Sequence, residues 1–370
     1  MNPAWMRRAL DLARSGDGFV QPNPMVGCVI VRDGRIVGEG YHRRFGGPHA
    51  EVEALREATR RGNSGAIAGS DVYVTLEPCA HHGKTPPCAD ALVDAGVGRV
   101  FVAAADPFAD VDGRGIGRLR DAGIDVHVGI ERDAATELNA PFFKRVRTGR
   151  PWVIAKWAMT IDGRIATVAG HSRWITGAES RRDVHHRRSR VDAVVVGMGT
   201  VAADDPELTA RDVDADPPRI ATRVVLCRSR LPSVDSRLVR TVAAAPLLIV
   251  APEPLAASAD ADALRDRGVQ FHAADDSVGG LMAAASDRDW TSVVVEGGAG
   301  VLGSIVAAGH VDEVQVYIGP KIFGGASAPG PVGGVGLSDV ESSPAMRRIA
   351  TQTFGDDVKV TYRRRLDDFS

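Results

Sequence analysis

Short β-branched runs alternate with helical patterns along the whole chain, and the alternation starts afresh near residue 151. In the first series the expected strands are 26–31, 36–40, 71–75, 100–104 and 124–128, with helices at 4–14, 50–61, 89–96, 115–122 and 134–147. In the second, strands are expected at 152–157, 193–196, 223–226, 247–250, 292–295, 313–318 and 358–363. A strand–helix rhythm of this kind builds layered α/β units, because each sheet face must be covered by helices. The basic stretch 144–151, KRVRTGRP, is the seam: its Thr-Gly-Arg-Pro ends one helix and leads into the next strand. At 370 residues the chain suits two domains, predicted at 1–147 and 148–370.

Composition narrows the function classes. A net charge of −2 gives no bulk attraction to nucleic acid or anionic membranes. Residues 1–14 read as an amphipathic helix rather than a signal peptide. The weakly charged run 241–259 is interrupted by Pro246, Pro252 and Pro254, so it does not read as a membrane span. A cytoplasmic protein is expected, with Cys28, Cys79, Cys88 and Cys227 reduced. Two close cysteines then point to metal binding or catalysis rather than to a disulfide.

Residues 75–88 read TLEPCAHHGKTPPC, and residues 47–55 read GPHAEVEAL at an expected helix start. His-x-Glu alone occurs by chance in many proteins. Joined to a later Pro-Cys and a second cysteine, it becomes a His/Cys/Cys zinc pattern with a glutamate that does not ligate. His49, Cys79 and Cys88 would leave the fourth tetrahedral position open, as a catalytic zinc requires. Glu51 would move protons between water, ring nitrogen and departing ammonia. A closed structural site that recruits His81 or His82 is the alternative, and it would leave Glu51 without a task.

Together with PNPMVG at 22–27, HAE at 49–51 and TLEPC at 75–79, these features resemble the cytidine deaminase superfamily. Most members place the second cysteine three positions after the first. Here Cys79 and Cys88 are nine apart, which resembles one branch, the bifunctional riboflavin-biosynthesis deaminase–reductases. That resemblance implies a cytidine-deaminase-like α/β/α domain followed by a dihydrofolate-reductase-like α/β domain, with Zn2+ and NADPH as cofactors. It implies deamination of a phosphoribosylamino-pyrimidine and reduction of its ribose to ribityl. Asn23 is then a contact for the pyrimidine edge, and His42 and Lys84 are candidates to neutralise the substrate phosphate.

In the second half, strand 292–295 runs into residues 296–304, EGGAGVLGS, where Gly298, Gly300 and Gly303 satisfy G-x-G-x-x-G. The first acids after it, Asp312 and Glu313, come too early for the ribose contact of a Rossmann domain. The family resemblance instead implies cofactor contacts at Ala158, Trp174, Thr200 and Asp204, and along the loop Gly298, Ala299, Gly300, Val301, Leu302, Gly303 and Ser304. It implies substrate contacts at Ser172, Arg188, Leu208, Arg211 and Glu296, with Arg188 and Arg211 read as a phosphate clamp. Lys156 is the expected proton donor to the ribose. The sequence departs from the family at Cys227-Arg228, where an acidic residue is more usual; Arg228 is a candidate for the cofactor's 2′-phosphate. A small-molecule substrate and a homo-oligomer are expected. A nucleic-acid-directed deaminase is the competing reading, but a chain 5% aromatic and near neutral lacks the basic, aromatic-studded surface that it requires. A non-catalytic zinc scaffold is opposed by the intact Glu51.

Overall fold

A computed structural model describes residues 2–80, 87–108, 113–213 and 219–365. Its chain divides into two compact units that meet in sequence between Gly149 and Arg150. His81, His82 and Lys84 lie outside the described residues.

The first unit is built on strands β1 (Gly27–Arg32), β2 (Arg35–Tyr41), β3 (Asp71–Leu76), β4 (Arg99–Ala104) and β5 (Asp125–Val128). Their order is β2-β1-β3-β4-β5. The pairs β1/β2 and β1/β3 are antiparallel, and β3, β4 and β5 run parallel. Asp33 and Gly34 both take positive φ, 49° and 71°, the backbone that a right-twisted two-residue hairpin demands. Alternation along β1 sends Val29 and Val31 to one face and Cys28 and Ile30 to the other. Met6, Ala9 and Leu10 of helix Pro3–Arg14 cover the first face. Ala50, Ala54 and Ala58 of helix Ala50–Arg60 cover the second, together with helices Cys88–Asp94 and Arg114–Asp121.

The helix expected at 134–147 is two, Arg132–Leu138 and Ala140–Thr148. The break at Asn139 has a cause in the fold. Its side-chain amide accepts from Met25 N and donates to Met25 O, both at 2.8 Å, and Pro141 follows. That tie anchors the turn before β1 to the helical layer.

The second unit contains β6 (Trp152–Thr160), β7 (Ala193–Gly197), β8 (Thr222–Leu226), β9 (Leu247–Ala251), β10 (Gln270–Ala273), β11 (Ser292–Val295), β12 (Glu313–Gly319), β13 (Arg347–Phe354) and β14 (Asp357–Arg363). The order is β10-β9-β8-β7-β11-β6-β12-β14-β13, parallel from β10 to β12 and antiparallel beyond. Strands β7, β9 and β11 are buried throughout, as a sheet covered on both faces requires. Among the described residues, no helix is long and apolar enough to cross a membrane.

Candidate active sites

In the first unit, His49 caps helix Ala50–Arg60, Cys88 is the first residue of its own helix, and Cys79 lies three residues beyond β3. These ends converge. One ligand atom each from His49, Cys79 and Cys88 lies within 4.8 Å of the others. His49 Nδ1 is 3.1 Å from Cys88 Sγ and 3.6 Å from Cys79 Sγ. Hydrogen bonds from Cys88 and His49 hold the Cys79 thiol well below its usual range, while the bond to Cys79 and burial push Cys88 up. A thiolate beside an imidazole is a donor set suited to zinc.

Glu51 sits one position into the same helix and is buried. Burial, followed by the charge on Cys79, raises its carboxyl to about 7. Its Oε2 is buried without a hydrogen-bond partner among the described residues, so the carboxylate is available to a group entering the site. A cavity of about 400 Å3 holds His49, Glu51, Cys79, Asn23, His42 and Arg145 in its walls. Asn23 Nδ2 is 3.3 Å from His42 Nε2, and His42 Nδ1 lies 2.9 Å from the Pro48 carbonyl. His42 is 2% exposed, both ring nitrogens are engaged, and burial lowers its pKa. It therefore orients Asn23, and the expectation that it neutralises a phosphate is corrected.

Sequence reasoning missed Glu77, inside the Leu-Glu-Pro-Cys run. Its buried carboxylate accepts from the backbone amides of Gly113, Gly115 and Ile116 at 3.2, 3.0 and 3.1 Å. This draws helix Arg114–Asp121 against Pro78, next to Cys79. The only sequence signal was an acidic residue in an otherwise buried strand end.

In the second unit, parallel register sets Val295 beside Ala155, so the next residues, Glu296 and Lys156, emerge together. Lys156 Nζ lies 3.8 Å from Glu296 Oε2. Arg188 reaches the same carboxylate with two bonds, of 2.7 and 2.9 Å. Burial alone would raise Glu296; the charge and hydrogen bonds of Arg188, with Lys156, reverse this and hold it at about 2. Burial pushes the Lys156 ammonium down from its usual range, against the opposing pull of Glu296. Arg188 is thus committed to Glu296 and to the Thr209 carbonyl, at 3.1 Å. Arg211 reaches the Thr209 hydroxyl at 3.5 Å and pairs with Glu207. The two arginines of the expected clamp converge on Thr209, but only Arg211 is solvent-facing. Leu208, between them in the chain, is buried with φ of 58°, an unusual backbone for a bulky residue.

Sequence reasoning also missed Asp183, Tyr317 and Lys359. Tyr317 Oη and Lys359 Nζ both donate to Asp183, at 2.5 and 2.6 Å, and Lys156 Nζ lies 5.5 Å above the Tyr317 ring. Nothing in their spacing could have joined residues from three distant segments.

The glycine loop leaves β11 at Glu296 and enters helix Ala299–Ala307. Gly297 and Gly298 take φ of 155° and 70° and pack on the Thr200 hydroxyl. A side chain at Gly199 or Gly300 would meet nothing within 4 Å, and both glycines line a cavity of about 310 Å3. Trp174 is exposed, flanked by Arg181 and Arg173, and Asp204 pairs with Arg173. Ala158 lies on β6, and Ser172 is half-buried before Trp174.

Residues 151–360 match the RibD C-terminal domain, and residues 2–104 match the cytidine and deoxycytidylate deaminase zinc-binding region. The riboflavin biosynthesis protein RibD of Aquifex aeolicus is 37% identical, over 97% of this chain and 98% of its own. That of Escherichia coli is 40% identical, over 96% and 97%. The chain belongs to the RibD family. The Acinetobacter baumannii RibD structure superposes with a TM-score of 0.85 at 35% identity, covering 98% of each chain. A Thermotoga maritima deaminase/reductase superposes with the same TM-score at 36% identity, also over 98% of each. The chain is accordingly a bifunctional riboflavin-biosynthesis enzyme, a zinc-dependent deaminase joined to an NADPH-dependent reductase. Full-length agreement leaves no part of the chain for the appended nucleic-acid module of the competing reading.

Proposed function

We propose that residues 1–147 deaminate 2,5-diamino-6-(5-phosphoribosylamino)pyrimidin-4-one. Residues 148–370 then reduce the resulting 5-amino-6-(5-phosphoribosylamino)uracil to 5-amino-6-(5-phosphoribitylamino)uracil. The observation that carries the reading is the His49, Cys79 and Cys88 donor cluster, with Glu51, His49 and Cys79 together in the wall of one cavity. The name of the Thermotoga maritima relative, a diaminohydroxyphosphoribosylaminopyrimidine deaminase and 5-amino-6-(5-phosphoribosylamino)uracil reductase, supports the substrate.

When bound, zinc on His49, Cys79 and Cys88 makes water a nucleophile near neutral pH, and NADPH on the glycine loop supplies hydride. Glu51 takes a proton from the water and delivers protons to the ring nitrogen and to the leaving amine. The carbon–nitrogen bond breaks, ammonia departs and a carbonyl remains. Asn23, fixed by His42, offers a donor and an acceptor to the pyrimidine edge. Arg145 places a cation in the same wall.

In the second unit, Lys156 would donate the proton to the nitrogen or oxygen attached to C1 of the ribose, the counterpart of the hydride that NADPH would supply when bound. Glu296 and Arg188 hold Lys156 in place; Ser172, Leu208 and Arg211 line the substrate side. Ala158, Trp174, Thr200, Asp204 and residues 298–304 hold the cofactor. The chain works in the cytoplasm, in keeping with its free cysteines. It assembles as a homo-oligomer; exposed Val335, Leu337 and Val340 are apolar surface that assembly would cover.

The test supplies the diaminopyrimidine phosphate and NADPH, and follows ammonia release and NADPH oxidation separately. Both signals should appear, with about one zinc per chain. In Cys88→Ser, zinc and ammonia release should be lost together. A fully zinc-loaded Cys88→Ser protein would overturn the ligand assignment.

A further inference from the structure

The register of β6, β12 and β14 gathers a row of charges that extends beyond Lys156. Tyr317 of β12 pairs with Ala158 of β6 and with Lys359 of β14, and Gln315 pairs with Lys156. Alternation along the strands therefore turns Lys156, Tyr317 and Lys359 to one face of the sheet. Two ammonium groups meet over a single ring: Lys156 Nζ lies 5.5 Å and Lys359 Nζ 5.2 Å from the centre of Tyr317. Helix Ala178–Arg188 lies over this face and closes the row at both ends. Arg188 holds Glu296 beside Lys156, and Asp183 accepts from Lys359 Nζ and Tyr317 Oη. Lys359 and Tyr317 are buried.

Stability is a poor account of the Asp183–Lys359 pair, because a buried ion pair does little more than offset its own desolvation. The helix also has a separate anchor on β14: Asp357 accepts from the Gly177 amide and the Ser180 hydroxyl, at 2.7 and 2.6 Å. What the pair does fix is the charge that Lys156 meets. Glu296 alone, 3.8 Å away, would hold the ammonium protonated and oppose its release of a proton. Burial lowers the Lys156 ammonium most; Glu296 pulls it back up, Arg188 and Lys359 lower it, and Asp183 opposes them. Tyr317 stays neutral, because burial and then Asp183 push its hydroxyl above the usual range. Arg187 and His185 on the helix and Glu313 on β12 also act on the row, and Glu313 is itself paired with Arg363.

We infer that Lys359 and Asp183 are positioning residues for the reduction, which set how readily the Lys156 ammonium releases its proton. The inference rests on reading Lys156 as the proton donor. The Lys359 charge, set across the Tyr317 ring, offsets the hold of Glu296 on Lys156. Asp183 keeps Lys359 ionised in its buried place and limits how strongly that charge is felt. Both act through Lys156 rather than on the substrate. The proton leaves Lys156 Nζ for the nitrogen or oxygen attached to C1 of the ribose, and the neutral amine regains one from water between turnovers.

The experiment supplies the uracil intermediate and NADPH to the zinc-loaded full chain and records kcat/KM for NADPH oxidation against pH. A proton donor gives a limb that falls as pH rises through its pKa in the free enzyme. Lys359→Met leaves Asp183 acting on Lys156, so the limb should move to higher pH, by roughly 0.5–1 pH unit for one charge across one ring. Asp183→Asn leaves Lys359 unopposed and should move the limb to lower pH. Lys359→Arg, which keeps the charge, should hold the wild-type limb. Circular dichroism confirms that each variant is folded, and Asp183→Asn decides the question where Lys359→Met does not fold. A limb unmoved in both variants, or moved in the same direction by both, is the mark of a merely structural pair and overturns the inference. In Lys156→Arg the limb should vanish, or reduction with it. Wild-type reduction with an unchanged limb in that protein removes the donor reading itself, and this inference falls with it.

Discussion

Glu51 and Glu296 are both buried, yet their neighbours drive them in opposite directions. Around Glu51, burial and the Cys79 charge favour the protonated form, at about 7. Around Glu296, Arg188 and Lys156 overcome burial and keep the carboxylate ionised, at about 2. The first suits a group that shuttles protons, the second a fixed counter-charge. Glu51→Gln should keep zinc while deamination falls by roughly two to four orders of magnitude; near-normal turnover would refute the role. For Glu296 the sign follows from a depressed folded pKa. Its stabilisation is present above about pH 4.5 and is lost as pH falls toward 2, on the order of 3 kcal/mol in all. Urea unfolding at pH 6 and pH 3 should therefore show Glu296→Gln losing less stability to acid than the wild type. Equal acid sensitivity in the two proteins would remove the argument.

At the scale of elements, the metal cluster depends on how closely helix Arg114–Asp121 meets the Pro78–Cys79 turn. A Cβ on Gly115 would stand 1.7 Å from the Pro78 carbonyl oxygen, so only glycine allows this approach while Glu77 holds the helix end from the other side. Gly115→Ala should cost about 1–3 kcal/mol of first-unit stability and weaken zinc retention, while NADPH oxidation of the uracil intermediate persists. Zinc affinity equal to wild type would show that the turn tolerates displacement. Elements that the sequence reading missed share a cause. β10 and β13 are edge strands, half-exposed or more, so they lack the continuous apolar run that reveals β7 or β11. The break at Asn139 depends on a partner, Met25, 114 residues away.

At the scale of the molecule, each unit carries the groups for one reaction. Lys156→Ala should abolish NADPH oxidation and leave ammonia release almost untouched, so that the deaminated uracil phosphate accumulates. Loss of both activities in a folded, zinc-loaded Lys156→Ala protein would end the assignment of one reaction to each unit. The amino-acid sequence by itself determined the two α/β units, the His49, Cys79 and Cys88 set and Glu51, because each rests on a local pattern: periodicity, a helix start, a Pro-Cys turn. Lys156, Glu296 and Arg188 were reached through family resemblance, since nothing local singles them out; the glycine loop showed as a local G-x-G-x-x-G pattern, but its cofactor role came from the same resemblance. Only the tertiary structure decided how they are used. It commits Arg188 to Glu296, turns His42 toward Asn23, and brings Asp183, Tyr317 and Lys359 together. Those pairings join residues far apart in the chain, and a pairing across such separations is set by strand register and helix docking, which no local spacing encodes.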